Sequence, residues 1–171
     1  LEEAAERLWR DAALEMDDLP RGLARHLERV HRVNVSIVRS GDARGTLRRY
    51  DPARRTLHLS ELLPTRSRTF QLAHQLGLLE ARAALDRLVD DPSLGTQEAR
   101  ALAHAAFANY FAGAVLMPYE PFLQAARSER YDIDVVGRRF RVGFEQACHR
   151  LTTLRRRGRE GIAFHMIRID V

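Results

Sequence analysis

Lysine is missing from this chain: all 28 basic residues among its 171 are arginine. A genome rich in arginine codons accounts for the number but not for the positions. The planar guanidinium fork is the side chain best suited to phosphate. Cysteine occurs once, as Cys148, which excludes an intrachain disulfide and a four-cysteine metal cluster. Between Ala147 and His149 on a helical stretch, it reads as a small packed residue rather than a reactive thiol. No apolar run is long enough to span a bilayer and no signal-peptide pattern opens the chain. A cytoplasmic location with no membrane partner is therefore expected. Internal repeats, a glycine-rich phosphate loop, a Gly-x-Ser-x-Gly elbow and a convincing recognition helix are also missing. The excess of 28 basic over 23 acidic residues leaves a net charge of only +5. Such a modest charge fits an anionic ligand at least as well as nucleic acid.

What is present is enough apolar residue, 45% of the chain, to bury one substantial core. The centre of that core is Arg68-Thr-Phe-Gln-Leu-Ala-His-Gln-Leu-Gly-Leu-Leu-Glu80. Phe70, Leu72, Ala73, Leu76 and Leu79 recur at helical spacing. His74 is followed by Gln75, and Leu78 lies one helical turn on. In a zinc peptidase that register reads His-Glu-x-x-His, where two imidazoles hold the metal and the carboxylate activates water. Here an amide replaces the base and a leucine the second ligand. A single imidazole is too few for zinc.

Apolar spacing over residues 1–16 gives an amphipathic helix, a candidate linker or dimerisation element. A second helix is expected over Arg21–His31, with Leu23, Leu27 and Val30 inward. Val33–Val38 alternates as a strand, and Ser40-Gly41-Asp42 is turn chemistry. Gly45–Tyr50 and Arg54–Leu59 form a hairpin about Asp51-Pro52-Ala53. Near its tip stand Arg48, Arg49, Arg54, Arg55 and Tyr50, either a solvated end or a phosphate-holding patch. The central helix should run from Thr65 to about Leu88, placing His74, Leu78 and Arg82 on one face. Thr96 can cap the next helix, which ends at Met117-Pro118 and carries Phe107, Tyr110 and Phe111. Of seven histidines, His74 and His104 are the two on helices expected to meet. Short helices follow over Glu120–Arg127, Ile133–Phe140 and Phe144–Leu154, and a strand over Ala163–Asp170.

Three segments together resemble the ImmA/IrrE family of metallopeptidase-like proteins. Arg68-x-Phe70-x-x-Ala73-His74-Gln75-Leu76-Gly77 resembles its zinc-binding helix, and Ala108-Asn109-x-Phe111-Ala112-x-x-x-Leu116-Met117-Pro118 its third-ligand helix. Phe144-Glu145-Gln146-Ala147-x-x-Arg150-Leu151 resembles its C-terminal helix. The resemblance implies an α+β, mostly helical, zincin-like fold with a small antiparallel sheet. It also places the family's third ligand, a glutamate, on Ala105, a third loss beside Gln75 and Leu78. Within the family, Leu47–Leu59 and Phe70–Gln75 are most similar to short-chain fatty acyl regulators of actinobacteria, in the XRE class. These control propionate, acetate and glyoxylate-pathway genes.

The organisation implied is an N-terminal helix over 1–19, a degenerate ligand-sensing domain over 20–160, and a terminal strand over 161–171. DNA would be bound through an N-terminal helix-turn-helix outside this chain. Any iron–sulfur cluster would belong to a cysteine-containing region that follows it. The first residue, Leu1, is what a fragment of such a regulator would show. The effector implied is a short-chain acyl-CoA, with no zinc and no catalysis. Leu78 would line the acyl pocket, and His74, Gln75 and Tyr110 would offer hydrogen bonds to the thioester carbonyl. Arg54, Arg68 and Arg82 would hold phosphates, with Arg48, Arg49 and Arg55 as substitutes, and Tyr50 would stack on adenine. Two other readings compete: a peptidase with relocated ligands, and a DNA- or protein-binding module without a small ligand. A homodimer through residues 1–16 is a further expectation.

Overall fold

The computed structural model describes residues 1–39, 46–167 and 169. The expected turn at Ser40-Gly41-Asp42, the first residue of the hairpin, and Arg168 and Asp170 of the last strand lie outside them. The chain divides into two units, Leu1–Val115 and Leu116–Val171.

The first unit opens with α1, Glu2–Asp11, whose acidic first turn and basic Arg10 complement the helix dipole. It is shorter than the apolar stripe suggests, because Ala13 takes a left-handed conformation (φ 45°) that ends the helix. Ala5 and Leu8 are buried within the unit's own core. A short 3-10 turn, Met16–Asp18, leads into α2, Leu19–His31, with proline in its first turn. Leu19, Leu23 and Leu27 face inward as their four-residue spacing demands, but Val30 is 51% exposed. Val30 stands in the last turn of α2, past the buried stretch.

Three strands follow: β1, Asn34–Val38; β2, Arg48–Asp51; and β3, Thr56–Ser60. The sheet order is β1-β3-β2. β2 and β3 form the expected antiparallel hairpin, closed by Arg55 at φ 46° and by the Arg54 backbone N–H donating to the Asp51 carboxylate at 3.0 Å. β1, however, runs parallel to β3, so the sheet is mixed rather than antiparallel. The hairpin returns with its second strand beside β1, which leaves β2 at the outer edge.

Next come α3, Thr65–Glu80, and α4, Arg82–Val89. The single helix expected to reach Leu88 is thus two, broken at Ala81, where ψ opens to 8°. No proline or glycine marks the break. Burial does: Ala81 and Leu85 are both in the core, at 2% and 0% exposure. α5, Gln97–Leu116, starts as expected at Thr96, whose hydroxyl accepts the Ala99 N–H at 3.1 Å. α1 is tied to α5 by the Trp9 indole N–H donating to the Val115 carbonyl at 2.9 Å. Gly77 of α3 and fully buried Phe111 of α5 meet so closely that a Cβ on Gly77 would lie 2.7 Å from the ring.

The second unit holds α6, Tyr119–Ser128; α7, Ile133–Arg139; and α8, Phe144–Thr152. Arg150 of α8 is only 3% exposed and donates from Nε to the Met117 carbonyl at 2.9 Å. That carbonyl lies just past the end of α5, where helix acceptors have no partner of their own. Residues 161–167 form no strand, in contrast to the alternating pattern that suggested one. No strand occurs among the described residues of this unit. It packs instead through the Phe164 ring beside Tyr131, centroids 5.3 Å apart. Among the described residues no single helix is long and apolar enough to cross a membrane.

Candidate functional site

Strand register decides which hairpin arginine turns inward. Opposed residues in a ladder point to the same face, and Leu57 and Leu59 of β3 are buried. Arg48 stands opposite Leu59 and Tyr50 opposite Leu57, so both share the core-facing side. Arg49, opposite His58, shares the other.

From that side the Arg48 guanidinium reaches α3 and donates from Nη2 to Oε1 of Gln75 at 2.5 Å. Gln75 is 2% exposed. A guanidinium has donors only, so the buried amide must turn its oxygen to Arg48 and its NH₂ away. Burial depresses the Arg48 pKa, yet the group stays cationic. No carboxylate among the described residues pairs with it, and its Nε has no hydrogen-bond partner among them.

His74 precedes Gln75 and lies beside the Phe70 ring, centroids 6.4 Å apart. Its Nδ1 is buried without a partner among the described residues. Burial, and then the charges of Arg48 and His104, hold its pKa down at about 4. The imidazole is therefore neutral at pH 7. The close approach of Gly77 and Phe111 bears out the expectation that the helices of His74 and His104 meet. His104 also faces Asp86 of α4, Nε2 to Oδ1 3.6 Å.

Arg48, His74, Gln75 and His104 thus come together. Leu78 is half-buried one turn beyond His74, and Tyr50 half-buried beside Arg48 on β2. The Tyr110 hydroxyl is engaged, donating to the Glu2 carboxylate at 2.6 Å. Arg68 is half-buried, with Nη2 3.4 Å from the Thr65 hydroxyl. Arg54 is exposed in the hairpin turn. Arg82 does not share the His74 face: beyond the break at Ala81 its side chain is 78% exposed and pairs with Asp86 at 3.7 Å. Ala105 is exposed. The residue undervalued from sequence is Arg48, placed among the substitutes although strand parity alone sets it apart from Arg49. A cavity of 270 Å³ lies elsewhere, lined by Ala12, Gly22, Arg25, His26, Glu28 and Arg29, none of them an expected site residue.

A buried helix carrying His74-Gln75 beneath the edge strand of a small sheet, with α5 across from it, defines a zincin-like domain of the metallopeptidase type. Residues 28–152 match the IrrE N-terminal-like domain, peptidase M78, and the chain belongs to that family. It is 40% identical over 171 residues to the HTH-type transcriptional regulator PrpR of Mycobacterium tuberculosis, covering 99% of this chain and 35% of PrpR. The HTH-type transcriptional regulator RamB of the same species is 37% identical over 171 residues, covering 99% of this chain and 36% of RamB. A propionyl-CoA carboxylase regulator of Cereibacter sphaeroides is 43% identical over 114 residues, 67% of this chain and 25% of the relative. The chain thus spans about a third of the length of the first two. A solved structure of a Mycobacterium tuberculosis transcriptional regulator superposes with a TM-score of 0.88 at 40% identity, covering 94% of this chain and 48% of that one. The α+β, IrrE-like fold expected from the motifs is the one observed.

Proposed function

We propose that this chain is the effector-sensing part of a transcriptional regulator. In this reading it binds a short-chain acyl-CoA in a cleft inherited from a metallopeptidase and has no hydrolytic activity. The carrying observation is the desolvated Arg48 guanidinium on Gln75, with no carboxylate partner among the described residues, beside a neutral His74 whose buried Nδ1 has no partner among them either. A buried cation without a carboxylate is costly and is relieved by an anion or a strong acceptor.

The same residues argue against zinc in this cleft. Gln75 has no proton-accepting carboxylate, Leu78 and Ala105 have no donor atoms, and Arg48 sets a positive charge where a dication would sit. The cleft offers guanidinium and amide donors to a ligand but no carboxylate base to a water molecule. The names of the relatives, which include a propionyl-CoA carboxylase regulator, favour an acyl-CoA among possible anions. In this reading Leu78 and the Phe70 ring contact the acyl chain, while Arg48 and His74 meet the thioester and the adjoining polar groups. Half-buried Arg68 and exposed Arg54 are the candidates for the phosphates.

The test is calorimetric titration of the chain with propionyl-CoA, acetyl-CoA and free CoA, beside Arg48→Met and Arg54→Ala variants. Saturable binding of an acyl-CoA, weakened about tenfold or more in Arg48→Met by loss of a charge-assisted bond, is expected. A folded protein that takes up none of the three ligands removes the acyl-CoA reading. It would leave a scaffold that binds protein or DNA.

A further inference from the structure

At the far end of α3 from the Arg68 turn, three side chains converge that have no part in the cleft. His26 and His31 of α2 both direct Nε2 at one oxygen of Glu80, at 2.5 and 2.8 Å. Their imidazole rings meet edge to face, centroids 6.0 Å apart. One atom from each residue can be chosen so that all three lie within 4.8 Å of one another. His26 is buried, His31 half-buried and Glu80 exposed, so the cluster is reachable from solvent.

We propose that His26, His31 and Glu80 form a binding site for a borderline divalent cation of the Zn²⁺ type. Two imidazoles and one carboxylate are the donor set of three-ligand zinc sites, with water in the fourth position. In a tetrahedral site with bonds of about 2.0–2.1 Å, ligand atoms stand about 3.3 Å apart. The nitrogens now lie 2.5 and 2.8 Å from the carboxylate oxygen, so each nitrogen–oxygen pair opens by under about 1 Å, and the two nitrogens, within 4.8 Å of each other, settle to the same spacing.

Without a metal the cluster is poorly matched. Each imidazole must place a proton on Nε2 so that both donate to a single carboxylate oxygen, while the buried His26 Nδ1 has no partner among the described residues with or without a metal. A cation at the shared focus uses both Nε2 lone pairs and the carboxylate charge together. It would pin the last turn of α2 to the last residue of α3, six residues beyond His74. A hard cation is not expected to bind, because two of the three donors are nitrogen.

The experiment is to strip the chain with a chelator and titrate it with Zn²⁺ against a chromophoric competitor. Mg²⁺ serves as the control, and Co²⁺ as a probe of tetrahedral coordination by visible absorption. One Zn²⁺ per chain is expected, at least tenfold weaker in His31→Gln and in Glu80→Gln and unchanged in His74→Ala. His31 is the most informative position, since it ends its helix and a glutamine there keeps the fold. Binding equal in the wild type and His31→Gln, binding lost in His74→Ala instead, or no Zn²⁺ uptake at all would each overturn the proposal. None of these outcomes depends on whether the chain binds an acyl-CoA.

Discussion

Two glycines in the middle of helices should respond differently to the same substitution. Gly77 lies in α3 and Gly113 in α5, and alanine at either gains about 1 kcal/mol of helix propensity. A methyl at Gly113 meets nothing within 4 Å. A methyl at Gly77 would stand 2.7 Å from Cδ1 and 3.2 Å from Cγ of Phe111. Ordinary carbon contacts are about 3.5–4.0 Å, so the ring must retreat by roughly 1 Å. Phe111 is fully buried, and protein interiors are close-packed, so the ring has little room to retreat. Overpacking of this kind costs about 1–3 kcal/mol. Because the propensity gain is common to both variants, the difference between them isolates the packing cost. Gly113→Ala should therefore stabilise the chain, and Gly77→Ala should fall below it by about 1–3 kcal/mol. In a chain of this size that separates the melting temperatures by about 2–12 °C. Urea unfolding with unchanged m-values is the cleaner assay, since it reports stability without a change in exposed surface. If Gly77→Ala were as stable as Gly113→Ala, the close approach of α3 to α5, and with it the position of the cleft, would be wrong.

Other outcomes follow from the titrating and buried polar groups. The His74 pKa lies at about 4 in the folded chain against an ordinary 6.5, so between those values the unfolded state binds the extra proton. Stability should be fully present above pH 6.5 and fall as the pH drops through this window to about 4. His74→Phe should flatten the stability–pH curve there by roughly 1–2 kcal/mol, a figure discounted for the solvent that reaches the ring. Arg150→Met should destabilise the chain by about 1–3 kcal/mol, because the Met117 carbonyl loses its donor in a buried setting, measured by urea unfolding. The stacking of Arg150 over Tyr119, 5.6 Å from the ring centroid, is lost with it.

The helices were legible wherever a buried stripe keeps its spacing within a single element, as in α2, α3 and α8. The hairpin was legible from its turn chemistry. The break at Ala81 was not, since alanine is the strongest helix former and the bend is imposed by the burial of Ala81 and Leu85. That break is why a spacing of eight from His74 carried no geometric weight for Arg82. The parallel pairing of β1 with β3 joins segments about twenty residues apart, and local pattern holds no record of it. Arg48 lay within reach of sequence reasoning: parity along β2, with Leu57 and Leu59 as the buried face of β3, separates it from Arg49. The convergence of His26 and His31 on Glu80 was beyond reach. The two histidines are five apart, a spacing that puts them on different helical faces, and only the end of α3 gathers them.

The contact between Arg48 and Gln75 also bears on what a carboxylate at position 75 could do. Glutamine and glutamate codons differ by a single base, so reversion at position 75 is always one mutation away. A glutamate there would meet the Arg48 cation at hydrogen-bonding distance in a buried setting. Such a carboxylate is held ionised, with its pKa pushed down, and takes a proton from water poorly. Supplying a base here would first require removing the arginine, and Leu78 and Ala105 would still offer no ligand atom. Arg48 thus acts as a lock on position 75: while it stays, the simplest substitution there yields an ion pair rather than a base.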